Sequence, residues 1–296
     1  MASKGPFRPS DMAPQGDMAR LPRSEVNRRA WLAGALAAGL APAVAARAAG
    51  PPTADTWTGY EARLRARLAD AGGGRFDGPA ERALHRLTNS ARAAAGAGAL
   101  TWDSELAATA RAHAGDLAAR RYVEHLAPEG FDPTDRLGLV ARRTIGSASE
   151  NISWHRGPTA AQAGDLMRNW RASAPHWSNL LTPRYSHTGF GVVRSGDQVW
   201  AVGLYAKLNG ALSADLPFHL ADITALLSNL KGMPAGVASF WLEDQVRKTG
   251  RRGMKAPPGV YRLRIDLPLD RFTYDELYGP IFVLDGGPRQ PAGVGG

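Results

Sequence analysis

Apolar positions first recur at helical spacing after Asp77-Gly78-Pro79, where Leu84, Leu87, Ala91 and Ala94 mark one face. Proline suits the first turn of a helix, and Gly96-Ala97-Gly98 ends the run. Leu100-Thr101-Trp102-Asp103 leads into a second helix with Asp103 as its N-cap. Its inward face is Leu106, Ala110, His113/Ala114 and Leu117, running to about Arg121, with His113 as a core histidine. A short helix spans Asp132 to Val140, Ile145 to Trp154 is irregular or strand-like, and a third substantial helix covers Ala160 to Trp170. A short helical turn follows at Ser173-Ala174-Pro175-His176. The period then changes from helical to alternating. Residues 188–193 and 198–205 flank Ser195-Gly196-Asp197 and predict a β-hairpin.

The outer segments are less regular. Gly50 to about Gly74 reads as a linker with a short helix over Tyr60–Leu68, stopped by Ala71-Gly72-Gly73-Gly74. Residues 216–230 predict an amphipathic helix. Gly259 to Leu267 alternates as a half-buried strand, with residues 279–284 as its partner. Beyond Gly286 the Gly/Pro-rich tail, 286–296, is expected to be disordered. Helices first and antiparallel strands last predict an α+β unit over 77–208 with a helix-plus-strand extension over 209–285.

The 296 residues contain no cysteine, which removes disulfides, thiol nucleophiles and cysteine-held metals. The net charge of +9 invites a nucleic-acid reading until it is located. Residues 1–49 hold seven of the basic residues and only three acids, which leaves +5 for the remainder. Within them, Asn27-Arg28-Arg29-Ala30-Trp31-Leu32 precedes an Ala/Gly/Leu run and small residues that offer cleavage sites at Ala45 or Ala48. This segment resembles a twin-arginine export signal, with Arg28 and Arg29 as its pair. Ala30 to Ala46 is too short and too interrupted by Gly and Pro to span a bilayer. The expected location is therefore periplasmic or secreted, without a transmembrane segment in the mature chain and without a nucleic-acid partner.

Seven histidines are present, but no H-E-x-x-H pair, phosphate-cradling glycine loop or G-x-S-x-G elbow marks a reaction. The residues alone stop at an exported α+β domain.

The order of local motifs adds to this. Asn89-Ser90-Ala91-Arg92, Gly98 to Asp103, Ala110 to Ala114, Tyr122-Val123-Glu124-His125-Leu126 and Glu150-Asn151-Ile152 come first. Trp170 to His176, Asn179-Leu180-Leu181 and Tyr185 to Gly191 complete the series. Over residues 80–206 the chain resembles the CAP superfamily (cysteine-rich secretory proteins, antigen 5 and pathogenesis-related proteins) in its bacterial, cysteine-free branch. The resemblance implies an α-β-α sandwich with a cleft lined by His125, Glu150 and His176. The further Glu usual in eukaryotic relatives is missing, since Asn169 to Pro175 contains no acid and Ser173 stands in that region.

Two imidazoles and a carboxylate can serve as a structural or ligand-binding network, as an opportunistic divalent-metal (Zn) site, or as general acid and base for a metal-dependent hydrolase. No cofactor is required by the first reading, and no catalytic residue is assigned. The leading expectation is a non-catalytic binding module for a lipid-like or cell-envelope ligand. A third reading is a structural interaction module acting through residues 211–296. The basic run Arg247 to Lys255 reads as a solvated loop, with contact to anionic envelope material as its sharper alternative.

Overall fold

The computed structural model describes residues 52–157, 161–231, 239–252, 256–268 and 274–285. The expected export segment with Arg28 and Arg29, the tail 286–296 and the end of the basic run at Lys255 lie outside them. The first part of the chain gives α1 (Ala54–Asp70), β1 (Arg75–Phe76), α2 (Gly78–Ala94), β2 (Thr101–Trp102), α3 (Ser104–Arg120) and α4 (Pro133–Val140). It continues with β3 (Thr144–Arg156), α5 (Ala163–Ala172), α6 (Ala174–Leu181), β4 (His187–Ser195) and β5 (Gln198–Ala211). The last part holds β6 (His219–Leu220), α7 (Thr224–Lys231), β7 (Ser239–Asp244), β8 (Gly250–Arg252), β9 (Gly259–Pro268) and β10 (Tyr274–Leu284).

Local chemistry sets the helix starts. Asp77, Asp103 and Asp132 each accept a backbone N–H from the first turn, at 3.0, 2.7 and 2.8 Å. Arg121 ends α3 in the left-handed region at φ 55°. The buried face of α2 differs from the apolar stripe expected, because Leu87 is exposed while Thr88 and Arg92 are fully buried. Arg92 is tolerated there because its guanidinium donates to the carbonyls of Gly98, Leu180 and Thr182.

The first sheet has the order β1-β4-β5-β3, with β2 pairing parallel to β4. Alternation along β5 divides its side chains between two cores. Trp200, Val202, Leu204 and Ala206 meet Leu106, Ala110, Ala114 and Leu117 of α3. Val199, Ala201 and Tyr205 face the other way, onto Leu84, Leu166, Trp170 and Leu180. The unit is thus an α+β sandwich with helices on both faces of an antiparallel hairpin sheet. Helix α3 sits directly on β4: a Cβ on Gly189 would lie 2.1 Å from the Ala107 nitrogen, and one on Gly191 2.3 Å from the Arg111 nitrogen. The region left between irregular and strand, 145–154, is a 13-residue strand paired with β5 along its length.

Two expectations at the ends of the chain are corrected. The helix expected over 60–68 starts earlier, since Thr53 and Thr56 form a capping box and Trp57, Tyr60 and Leu64 bury one face. Tyr60 stacks on Phe131 with ring centroids 4.5 Å apart. The helix expected over 216–230 is confined to Thr224–Lys231. Leu216, Leu220, Ile223, Leu226 and Leu230 all enter one core, so their spacing mimics a continuous helix. Pro217 lacks a donor, however, and residues 219–220 are held extended by parallel pairing with Val283 and Leu284.

A second sheet, ordered β6-β10-β9-β7-β8, is built by the extension. The expected pairing of 259–267 with 279–284 is present, whereas β7 and the short β8 within the basic run had no signal in the periodicity. This sheet packs on the first unit. Val260 and Ile281 share a core with Trp57, Tyr60, Phe131 and Leu139. Arg142 pins the seam, donating to the carbonyls of Leu216, Pro217, Gly138, Leu139 and Ile281. Burial, then the nearby Arg65, lowers its pKa to about 10. Among the described residues no helix is long and apolar enough to cross a membrane.

Candidate functional site

The three residues singled out in the sequence come from three different elements. His125 lies in the loop between α3 and α4, Glu150 in β3, and His176 in the first turn of α6. Strand β3 is the last strand of its sheet, so the loop and α6 can approach one another around its edge. The rings of His125 and His176 are 6.4 Å apart, centroid to centroid.

Glu150 is the centre of the arrangement, and it is 2% exposed. Its Oε1 accepts from His125 Nδ1 at 2.9 Å, and its Oε2 from His113 Nδ1 at 2.8 Å. Arg136 Nη2 lies 3.1 Å from each oxygen. Burial would push this carboxyl up, but Arg136 and the two imidazoles more than offset it and hold Glu150 well below 4.5. His113, fully buried, is held below 6.5, chiefly by burial and then by Arg136. It therefore stands neutral, with its proton on Nδ1.

Arg136 also fixes the loop. Its guanidinium donates to the carbonyl of His125 at 2.8 Å and to that of Phe131 at 3.0 Å. One cation thus holds both the backbone that carries His125 and the carboxylate that orients its ring. His176 is positioned through its main chain. Asn151 Nδ2 donates to the His176 carbonyl, Asn179 Nδ2 to Asn151 Oδ1, and Tyr185 to Asn179 Oδ1, at 2.9, 2.9 and 3.0 Å. Burial, then the neighbouring His125, lowers the His176 pKa below 6.5.

The structure therefore brings Glu150 to His125 and places His176 beside His125. Among the described residues no group of three or more His, Asp or Glu is arranged to hold a metal ion. Glu150 does not fit as a metal ligand: a carboxylate offers about four lone-pair directions, and donors from His113, His125 and Arg136 occupy both oxygens. Ser173, in the region where relatives carry a second acid, is the N-cap of α6. With Nδ1–H committed to Glu150, His125 keeps Nε2 as its remaining ring nitrogen, able to accept a hydrogen bond or, protonated, to donate one. Val123 and Leu126, in the same loop, are 42% and 54% exposed.

Sequence reasoning missed Arg136 and the partnership of His113 with Glu150. A signal for Arg136 existed. It lies three and four residues before Leu139 and Val140, and so on the buried face of α4. Asn151 stands next to Glu150 in the Glu-Asn-Ile motif and could have been read with it.

Comparison with known proteins finds similarity over part of the chain. Residues 85–205 match the model of the cysteine-rich secretory protein family, CAP. The uncharacterized protein YkwD of Bacillus subtilis (strain 168) is 30% identical over 129 residues, 43% of this chain and 47% of its own. The chain thus spans about half the length of the curated relative it matches. Among solved structures, an outer surface protein of Borrelia burgdorferi is 16% identical at a TM-score of 0.41. That likeness covers 46% of this chain and 99% of the Borrelia protein. An extracellular protein containing an SCP domain from Bacillus anthracis (strain Ames) is 24% identical at a TM-score of 0.36, over 43% of this chain and 41% of its own. Residues 85–205 thus match the CAP family, in a chain that contains no cysteine.

Proposed function

We propose that the protein is exported and binds a lipid-like or cell-envelope ligand at the His125/His176 cleft, without performing chemistry on it. The observation that carries this reading is the exposure of Val123 and Leu126 on either side of His125. Apolar side chains next to a fixed imidazole suit a ligand with an apolar body and a polar end. The state of Glu150 agrees with binding, because its lone pairs are spent on orienting His125 and holding the loop. Export is supported by the resemblance of residues 1–49 to a twin-arginine signal.

The test uses the chain from residue 50 onward and a fluorescent fatty-acid analogue, displaced by oleate. Saturable, displaceable binding is expected, and Leu126→Asp should weaken it at least about tenfold, the equivalent of losing one buried aliphatic side chain. Absence of saturable binding, or wild-type affinity in Leu126→Asp, would overturn the ligand reading. For export, Arg28→Lys with Arg29→Lys should retain the precursor in the cytoplasm, and undiminished export would exclude the twin-arginine route.

A further inference from the structure

On α2, β2 and α3 there is an open cavity of about 410 Å³, lined by Glu81, Arg82, His85, Trp102 and Arg111. None of these residues belongs to the His125 cleft. We propose that this cavity binds a small ring-bearing carboxylate.

Three features of the lining point to that class. First, one wall is aromatic and fixed. Trp102 is backed by Phe190 at a centroid distance of 6.3 Å and flanked edge-on by His85 at 5.6 Å. His85 Nε2 lies 2.9 Å from the Leu100 carbonyl, which can only accept, so this nitrogen carries the hydrogen and the ring is held in place. A ring ligand would therefore meet a surface already ordered for stacking, without the entropic cost of fixing it.

Second, the acid in the lining is already neutralised. Glu81 is 1% exposed, takes two N–H groups of Arg111, and accepts the Val192 N–H at 3.2 Å. It ties α2 to α3 and β4 and has little left for a ligand. Third, Arg82 is exposed and forms no ion pair among the described residues. With Glu81 and Arg111 cancelling, Arg82 gives the cavity a net positive charge. A guanidinium presents paired donors that match a carboxylate. The cavity volume falls within the range of small-molecule sites, about 300–1,000 Å³. A fixed aromatic wall with one uncompensated guanidinium selects a ring that carries a negative charge.

Benzoate and its neutral isostere benzamide separate the charge from the ring. The measurement is the indole N–H signal of Trp102 in the ¹⁵N-labelled chain from residue 50 onward, assigned with Trp102→Phe. Benzoate should shift this signal saturably, with benzamide at least about tenfold weaker, the difference expected of one charge-assisted hydrogen bond. Arg82→Gln, at an exposed and unpaired position, should keep the fold and bring benzoate down to the affinity of benzamide. The proposal is overturned if neither compound shifts Trp102, if both do so equally, or if Arg82→Gln binds benzoate like the wild type.

Discussion

His113 donates from Nδ1 to Oε2 of Glu150 across 2.8 Å, and both side chains are buried. The histidine expected as core is thus the inner partner of the acid that orients the His125 ring. Replacing His113 by Leu would leave Oε2 with Arg136 alone and bury a less compensated charge. A loss of about 2–4 kcal/mol is expected, read from the midpoint of urea unfolding. A loss below about 1 kcal/mol would mean the pair is incidental.

Arg136 should matter more, because it is the charge that keeps Glu150 ionised. Arg136→Met removes the cation and also frees the loop carrying His125. About 3–5 kcal/mol is expected, the range for breaking a buried pair from one side. The double variant Arg136→Met/Glu150→Gln should recover part of this loss, and a strictly additive double variant would contradict the coupling.

Acid sensitivity follows from the same groups. His113 and His176 have folded pKa values below 6.5, so each contributes stability above that value and loses it as pH falls through the lowered folded value. Glu150, held well below 4.5, behaves alike in a lower window and loses its contribution as pH falls from 4.5. Stability should therefore start to decline near pH 6.5 and fall further below 4.5. Unfolding midpoints measured from pH 8 to 3 check this, and Glu150→Gln should flatten the lower limb.

Beside the apolar core and the Arg262–Asp135 ion pair, Arg142 ties the seam between the two sheets. Arg142 satisfies five backbone carbonyls and forms no ion pair with an acid among the described residues. Arg142→Met should cost about 3 kcal/mol, the scale of hydrogen bonds to a charged group left unmade. The variant should also expose the segment after Ala211 to proteolysis before the sandwich itself. Simultaneous cleavage of both parts would argue against a seam.

Gly191→Ala tests the contact between helix and strand. The added methyl would meet the backbone of Ala110 and Arg111, which cannot yield as a flexible side chain could. A loss of about 3 kcal/mol or more is expected, with much reduced soluble yield. A variant as stable as the wild type would show that α3 can lift from β4.

Most of the sandwich could be read in advance because its signals are local. Asp77, Asp103 and Asp132 announce their helices, and Ser195-Gly196-Asp197 marks the hairpin turn within a few residues of its strands. What escaped depends on distance along the chain. Trp57 looks like a linker residue and Tyr60 like the start of a short helix until Phe131 supplies a surface for both. Leu216 to Leu230 keep a helical spacing that only the pairing with β10 interrupts. In the site, motif order brought out His125, Glu150 and His176. The partner of Arg136 was hidden, because nothing in a short helix reveals that its buried arginine meets an acid 14 residues later.

The core shared by Trp57, Tyr60, Val260 and Ile281 joins the first described helix to the last two strands. On a ribosome, the segment that closes this core is made about 200 residues after the segment that opens it. Until β9 and β10 are released, the aromatic face of α1 and the far side of α4 have nothing to cover them. A secretion route that threads an unfinished chain would carry that exposed surface through the membrane, whereas one that accepts only completed proteins would never meet it.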